Sequence, residues 1–491
     1  MHIQELLKDL SILSSTGPMD LEIQGLCIDS RKIQPGDAFI CMKGGVFDSH
    51  SVALPLYQQG VRVFFCEREV PLPKDAAVIV LPEMRTSMSL LAQNFFEHPA
   101  KGMTLIGITG SKGKTTVAHM IYALLEGMGK TPGIIGTNGA WTGEHSFPIS
   151  YTTPDPIELY RAIRGMRDKG CDSLVMEVSS FGMKYDRVSA LRFDVGLFLN
   201  IEEGDHVGPL EHVDFEEYFS CKKSFLSLCD KTLIWSGEPK LCELQEGLQA
   251  TYTYGRELFA DYRLLQTNPV ELGDEPGMGF TVEGKLNGEF KVHSLGEVGS
   301  LNALASLAAI DLLGWDAKKA APALEKLHIT GRMEWIYRSD DFGVLIDFAH
   351  NGLSARTLLR SLRQYKPKRL VCLFGVNGNR DINRREGMGK AAGQYADFSI
   401  ITEGHTRNET FENILTGILK GMSQTHGRYV IIPERKNALE WALEQREPGD
   451  ILAILGLGHE EHLEKEGRRI PHSDRQLVLN YLEKAEPSKD F

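Results

Sequence analysis

Gly107-Ile108-Thr109-Gly110-Ser111-Lys112-Gly113-Lys114-Thr115-Thr116 is the stretch whose reading decides the fold. An apolar strand expected at 103–108 runs into it, and a helix expected at 115–128 leaves it. Strand, glycine-rich turn and helix together form the setting of a phosphate-gripping loop. Glycines let backbone N–H groups approach phosphate oxygens, and the helix N-terminus adds a favourable dipole. Lys114 supplies a point charge and Thr115 a hydroxyl for Mg²⁺. The strict form of the pattern has glycine where Ile108 stands, so this is a variant of the loop.

Downstream of the loop, strands expected at 173–178 and 195–200 alternate with helical patterns, as in a parallel sheet with crossover helices. Ligands gather at the carboxyl ends of strands in such sheets. Glu177, which ends the apolar run in Met176-Glu177-Val178-Ser179-Ser180, is therefore expected beside the loop. The strand ending at Asn200 leads to Asp205-His206, where a neutral imidazole can bind a metal. Mg²⁺ with phosphates wants hard oxygen ligands, which Thr115 and Glu177 supply.

Upstream, residues 1–100 carry β-like runs at 61–66 and 77–81, the turn Gln34-Pro35-Gly36-Asp37, and an amphipathic stretch at 85–96 closed by His98-Pro99-Ala100. Residues 1–14 are expected as a short amphipathic helix rather than a signal peptide. A third unit opens at Gly331-Arg332-Met333-Glu334. It has strands expected at 344–347, 370–374, 398–402 and 451–455 and helices at 356–365 and 409–421, which make a second α/β sheet.

Composition narrows the function. A net charge of −12 with no long basic block argues against a nucleic-acid surface and leaves room for a local phosphate pocket. The eight cysteines contain no C-x-x-C pair, so they read as free thiols of a reducing compartment. No apolar run approaches the ~20 residues of a membrane span, so a cytoplasmic protein without a membrane partner is expected. His459-Glu460-Glu461-His462 spaces its histidines one residue short of the metalloprotease helix and is not read as a zinc motif.

The loop at 107–116, Glu177-Val178-Ser179-Ser180, Asp205-His206 and Asp347-Phe348-Ala349-His350 together resemble the Mur ligase family, in order and spacing across nearly the whole chain. Asp29-Ser30-Arg31, Pro35-Gly36-Asp37, Asp48-Ser49-His50, Thr152-Thr153-Pro154 and Gly378-Asn379-Arg380-Asp381 are similar to its tripeptide-forming, MurE-type branch. The resemblance implies an α/β protein of three domains. These are a UDP-binding domain at 1–100, a central P-loop-type parallel-sheet ATPase domain at 101–330, and a C-terminal Rossmann-like domain at 331–491. It implies an ATP- and Mg²⁺-dependent amide ligase of peptidoglycan precursor synthesis, and so of cell-wall growth, shape and division. Its partners would be UDP-MurNAc-L-Ala-D-Glu and a free diamino acid, and the chain would be a monomer.

The same resemblance distributes the site residues. Gly110, Ser111, Lys112, Gly113, Lys114, Thr115 and Thr116 would hold ATP, joined by Asn302, Arg332, Asp347 and His350. Thr115, Glu177 and His206 would serve Mg²⁺, with Lys222 as the lysine that becomes carbamylated and so turns from a cation into an oxygen ligand. Lys114, Lys222 and His206 would carry catalysis. Ser30 and His50 would contact UDP, and Thr152, Thr153, Ser179 and Arg187 the muramoyl-peptide. Arg380, Arg407 and Glu460 would complete the substrate side.

The acceptor stays open at this stage. Gly404-His405-Thr406-Arg407 stands where the diaminopimelate-adding members have Asp-Asn-Pro-Arg, and only the arginine is kept. A guanidinium there suits a distal carboxylate. Gly456-Leu457-Gly458-His459-Glu460 resembles the diaminopimelate type, with Glu460 placed for a distal ammonium. The stretch 200–212 and Ala349-His350-Asn351-Gly352 are closer to the lysine-adding enzymes. Lysine, diaminopimelate or another diamino acid all fit. A related ligase of specialised metabolism, a folylpolyglutamate synthase, and a non-enzymatic nucleotide-binding protein are the competing readings. The N-terminal UDP-type motifs argue against the folate enzyme, and the retained Lys114, Thr115, Glu177, His206 and Lys222 argue against a decayed site.

Overall fold

The computed structural model describes residues 1–485 except 46, 204, 205, 209, 210, 274 and 340. The chain forms two compact units. One holds Met1–Asn200, Phe219–Tyr252 and Leu312–Gly314; the other holds Ile201–Tyr218, Thr253–Asp311 and the chain from Trp315 onward.

In the first unit, the loop-bearing strand is Thr104–Thr109. It lies between Ser173–Glu177 and Phe193–Phe198, parallel to both. Pro132–Gly136 and Cys229–Trp235 extend the parallel sheet on either side, and the hairpin Gly139–Thr142 and His145–Phe147 closes one edge antiparallel. Strands covered on both faces need near-continuous apolar runs, and Leu105, Ile106, Ile108, Leu174, Val175 and Met176 are all buried. The helix Lys114–Gly127 covers the sheet with Val117, Ala118, Ile121, Leu124 and Leu125, a single stripe at helical spacing. Helix Pro156–Asp168 starts where Asp155 accepts from the N–H groups of Ile157 and Glu158, with Pro156 in the first turn.

Residues 14–80 of the same unit make a five-stranded sheet in the order Ser14–Thr16, Ala77–Val80, Val63–Cys66, Asp37–Cys41, Gly25–Cys27. Only the first pairing is antiparallel. The expected turn at Gln34–Asp37 is present: Asp37 N–H donates to the Gln34 carbonyl, and the Asp37 carboxylate accepts from Gln34 N–H. The expected helix at 1–14 shrinks to Ile3–Leu6. Asp9 turns left-handed (φ 63°). The carbonyls of Leu6 and Lys8 that a longer helix would have paired are taken by the Asn94 side chain instead. Burial of Ile3, Leu6 and Leu7 fixes that short turn, and the chain then crosses into the strand Ser14–Thr16.

The second unit contains a six-stranded sheet in the order Glu334–Arg338, Phe342–Asp347, Asp450–Leu455, Arg369–Phe374, Phe398–Ile401, Arg428–Ile431. It is parallel except at Glu334–Arg338. Alternate residues of Arg369–Phe374 feed two cores. Leu370, Cys372 and Phe374 pack with helices Gly352–Arg363, Asn383–Tyr395 and Phe411–Met422. Val371 and Leu373 pack with Arg435–Glu444 and Asp474–Ala485. This is a doubly wound, Rossmann-like sandwich. Arg435, with no exposed surface, joins the second pair of helices by donating to both carboxylate oxygens of Asp474 (2.9 and 2.7 Å) and to the Leu455 carbonyl (3.0 Å). The unit also holds the antiparallel strands Tyr262–Leu272, Glu275–Gly284 and Gly288–Val292, the helix Gly296–Leu312, and the ribbon His462–Lys465 with Arg468–Pro471.

The α/β class read from sequence holds; beyond the 1–14 stretch, the strands move by a residue or two and the helix expected at 356–365 begins four residues earlier, at Gly352. Among the described residues, no helix is long and apolar enough to cross a membrane, and every described cysteine is free.

Candidate active site

The phosphate-type loop is a built structure. Gly113 caps the helix with φ +85°, a left-handed turn that a side chain would strain. Lys114 folds back over the loop, its Nζ donating to the carbonyls of Gly110 (2.7 Å) and Ser111 (3.3 Å). Lys222, on the helix Phe215–Phe225 and only 1 % exposed, reaches the same Gly110 carbonyl at 2.8 Å. Asn200 clamps the other side. Its side-chain oxygen accepts from Lys112 N–H (2.8 Å), its amide donates to the Lys112 carbonyl (3.2 Å), and its own carbonyl accepts from Ser111 N–H (2.9 Å).

Glu177 sits at the strand end opposite Ile108, as expected, and is 1 % exposed. Its carboxylate accepts from Thr115 Oγ1 (3.2 Å), Thr137 N–H (2.8 Å) and Thr137 Oγ1 (3.2 Å). Gly136 leaves the room for it: a Cβ there would stand 2.3 Å from Glu177 Oε1. A buried carboxylate beside a threonine hydroxyl at the end of the phosphate loop is a hard-oxygen donor set, which fits Mg²⁺.

The four residues expected on the muramoyl-peptide lie beside this group. Thr152 Oγ1 is 3.3 Å from Thr137 Oγ1. Thr153 is fully buried; its hydroxyl donates to the Glu177 carbonyl (3.0 Å) and accepts from Ser179 N–H (2.9 Å). Its contacts are those of a positioning residue. Ser179 Oγ caps the short helix Ser180–Lys184 through Gly182 N–H. Arg187 donates to the Thr153 carbonyl (2.7 Å) and lies over the Tyr151 ring. Burial pulls its guanidinium below the ordinary value, with Asp155, Tyr151 and Tyr185 pulling the other way.

Of the two expected UDP contacts, Ser30 is half-buried. His50 is 6 % exposed and held at both ring nitrogens, with Nδ1 2.7 Å from Asp48 Oδ1 and Nε2 accepting from Glu67 N–H (3.2 Å). The Asp48 carboxyl lies well below the ordinary range because Arg68 and His50 hydrogen-bond to it.

In the second unit, Asp347 accepts from Met333 N–H and Ala349 N–H, each at 2.8 Å. Burial pushes its carboxyl up, with the Arg332 charge and those two N–H groups opposing. Arg332 lies 4.5 Å over the Phe348 ring, and His350 Nδ1 is 3.0 Å from the Phe348 carbonyl. Arg332, Asp347 and His350 are thus assembled around one turn. Asn302 lies on the helix Gly296–Leu312.

His206 (φ +55°) has Nδ1 3.4 Å from Glu211 Oε1, a carboxylate orienting the imidazole; Asp205 lies outside the described residues. Glu211 is held below its ordinary value by the His206 hydrogen bond, against burial, with help from the charges of Arg384 and Arg380. Arg380 reaches the same Glu211 Oε1 at 3.2 Å. Glu211 and Arg380, but not His206, join Arg407, Glu464, Arg468 and Arg469 in lining a cavity of about 860 Å³. Arg407 Nε donates to Glu464 Oε2 (3.0 Å). Glu460 does not line that cavity; it pairs with the buried His405 (2.9 Å), whose other nitrogen accepts from Glu464 N–H.

Asn200, Thr137, Glu211 and Glu464 were missed by the sequence reading. Glu211 lies close to His206 in a motif already in view, so its proximity was the available signal; Asn200 showed none until the strands Thr104–Thr109 and Phe193–Phe198 are known to be neighbours. Thr137 and Glu464 carried none, since their roles come from chain pairing.

Three family descriptions match successive segments: "Mur ligase family, catalytic domain" over 22–95, "Mur ligase middle domain" over 108–310, and "Mur ligase, glutamate ligase domain" over 331–458. Relatives from Syntrophomonas wolfei subsp. wolfei and Caldanaerobacter subterraneus subsp. tengcongensis are each 31% identical, covering 98% and 99% of this chain and 99% and 100% of their own. Both are called UDP-N-acetylmuramoyl-L-alanyl-D-glutamate–2,6-diaminopimelate ligase. A solved structure with that same description superposes with a TM-score of 0.70 at 24% identity, covering 99% of both chains.

Proposed function

The chain belongs to the Mur ligase family, and from that premise we propose that it is the ATP-dependent, MurE-type ligase that adds a diamino acid to UDP-MurNAc-L-Ala-D-Glu in peptidoglycan precursor synthesis. The observation that carries the reading is the loop Gly110–Gly113 with Lys114, Thr115 and the buried Glu177 assembled at one strand end. We read the domains as 1–100, 101–330 and 331–491, which the separate sheets and the three matched segments support. A monomer in the cytoplasm, without nucleic-acid or membrane partners, goes with this reading.

The chemistry follows from the residues. The glutamyl carboxylate attacks the γ-phosphoryl group of ATP, giving an acyl phosphate and ADP. The acceptor amine then attacks the acyl carbon, and the tetrahedral intermediate expels phosphate. Catalysis of this kind is positioning plus charge neutralisation. Lys114 and the loop N–H groups offset the phosphate charge. Mg²⁺, for which Thr115, Glu177, His206 and a carbamylated Lys222 are the assigned holders, would neutralise charge on the transferring phosphoryl oxygens. Thr152, Ser179 and Arg187 hold the muramoyl-peptide, with Thr153 supporting them. Ser30 and His50 stay assigned to UDP, and Asn302, Arg332, Asp347 and His350 to the nucleotide.

For the acceptor, 2,6-diaminopimelate is the better reading. Arg380, Arg407, Arg468 and Arg469 line one cavity, and guanidinium groups suit a carboxylate that lysine lacks. Glu211 and Glu464 on the same wall offer an ammonium partner. Lysine is the second reading, favoured by the pairing of Arg407 with Glu464, which already satisfies that guanidinium.

The test supplies ATP, Mg²⁺, UDP-MurNAc-L-Ala-D-Glu and a panel of amino acids, and reads phosphate release and product mass. Release confined to diaminopimelate supports the full reading. Release only with a different carboxylic acid in place of the muramoyl-peptide would move the enzyme to specialised metabolism. No ATP turnover with any pair would refute the ligase. Carbamylation is tested separately: Lys222→Ala should lose activity and regain part of it with a short-chain carboxylic acid.

A further inference from the structure

Three side chains that the proposed reaction leaves unused converge in the second unit. Glu275 opens the strand Glu275–Gly284, and His293 follows the strand Gly288–Val292. His328 lies in the loop before the strand Glu334–Arg338. One ligand-capable atom from each lies within 4.8 Å of the others. His293 Nε2 is 2.5 Å from Glu275 Oε2, and His328 Nδ1 is 3.6 Å from that same oxygen. The two imidazole centroids are 4.3 Å apart.

The hydrogen-bond inventory of this cluster does not close. Glu275 Oε2 and His293 Nε2 are buried, and apart from their mutual contact neither has a hydrogen-bond partner among the described residues. The His293 side chain is 8 % exposed, so bulk solvent hardly reaches it. Its Nδ1 lies 3.2 Å from the Leu327 carbonyl. A carbonyl only accepts, so Nδ1 carries a proton and Nε2 is the nitrogen aimed at the carboxylate oxygen. At 2.5 Å the two atoms must share a positive charge, a proton in the contact as it stands or a metal ion once the pair draws apart to ligand spacing.

We propose that Glu275, His293 and His328 bind a divalent cation of the zinc class. Two imidazole nitrogens and one carboxylate oxygen form a donor set that zinc accepts at about 2.0–2.2 Å per ligand, with the fourth position left to water. The exposed His328 leaves that position open to solvent. The Leu327 carbonyl acts as the outer partner that orients a metal-bound histidine. The site would tie the ends of two neighbouring strands to the loop that carries Arg332. It shares no residue with the Mg²⁺ group assigned to Thr115, Glu177, His206 and Lys222.

The test uses the full-length chain without an affinity tag, stripped with a chelator and titrated with Co²⁺, a zinc substitute with visible bands in tetrahedral sites. The wild type should bind one equivalent that His328→Ala and His293→Ala both lose, and the bands should vanish when Zn²⁺ is added. Zn²⁺ should raise the unfolding midpoint of the wild type by about 2 °C or more and leave that of His328→Ala unmoved. His328→Ala keeps the assay meaningful if the buried His293→Ala fails to fold, because His328 is exposed. Equal cobalt stoichiometry and equal spectra in wild type and His328→Ala would overturn the site. So would an unfolding midpoint indifferent to Zn²⁺ in the wild type, or saturation by Mg²⁺ in its place. No readout depends on ligase activity, so failure here leaves the proposed function untouched.

Discussion

Lys114 and Lys222 share one acceptor: both Nζ atoms donate to the carbonyl oxygen of Gly110, at 2.7 and 2.8 Å. One lysine opens the helix after the loop, and the other comes from a helix far along the chain. Their convergence brings both side chains to the turn where a triphosphate would sit, Lys114 as a charge and Lys222, once carbamylated, as an oxygen ligand.

Removing the first of these charges should be costly. Lys114→Ala is expected to lose about 10²–10³-fold in kcat, the usual effect of deleting one electrostatic donor aimed at developing charge. Steady-state phosphate release measures it. Turnover at the wild-type rate would detach the loop from ATP.

Glu177→Gln separates charge from shape. The amide keeps the volume but withdraws an anion that accepts from Thr115 and Thr137. The Mg²⁺ concentration for half-maximal activity should rise at least about tenfold, since a hard cation prefers carboxylate to amide oxygen. A Mg²⁺ titration unchanged from wild type would remove Glu177 from the metal site.

Arg407→Ala tests the acceptor. The KM for diaminopimelate should rise about 10²-fold, in keeping with loss of a bidentate carboxylate contact, while the KM for ATP holds. Equal effects on diaminopimelate and lysine would show that Arg407 serves only its pairing with Glu464.

The pair Arg435–Asp474 governs stability, with side chains 0 % and 1 % exposed. Arg435→Ala strands a buried carboxylate and should destabilise the fold by about 3–5 kcal/mol, read by denaturant unfolding. Burial alone would raise the Asp474 carboxyl, but the Arg435 charge, its hydrogen bonds and His472 outweigh burial and hold it well below the ordinary value. A depressed carboxyl lends its stability above the unfolded value of about 3.9 and loses it as pH falls toward the folded one. Acid unfolding below about pH 4 should therefore be steeper in wild type than in Asp474→Asn. Coincident acid limbs would exclude this pair as the cause.

Much of this was legible in the sequence because parallel strands buried on both faces must be written as unbroken apolar runs. Thr104–Thr109, Ser173–Glu177 and Arg369–Phe374 were readable for that reason, and the loop was readable because its glycines and lysine are adjacent. The Thr115–Glu177 contact was inferable from strand ends alone. The clamp of Asn200 on Lys112 was not, because an asparagine after an apolar run looks like any loop residue until two strands are known to be neighbours. The 1–14 stretch misled because its leucines do pack, but over one turn only, with Asn94 taking the carbonyls beyond. The group Glu275, His293 and His328 was invisible because its members come from three separate elements with no motif spacing.

The ribbon His462–Lys465 and Arg468–Pro471 holds Glu464 against Arg407 and carries Arg468 and Arg469 into the same cavity wall. This ten-residue hairpin is tied to the sheet through the chain around Arg407, so exchanging its side chains leaves that anchorage in place. Lineages facing different wall diamines can exchange that surface finger while the turn at Gly110–Gly113 stays as it is, so preference for the nucleophile can drift faster than the engine that activates the acid.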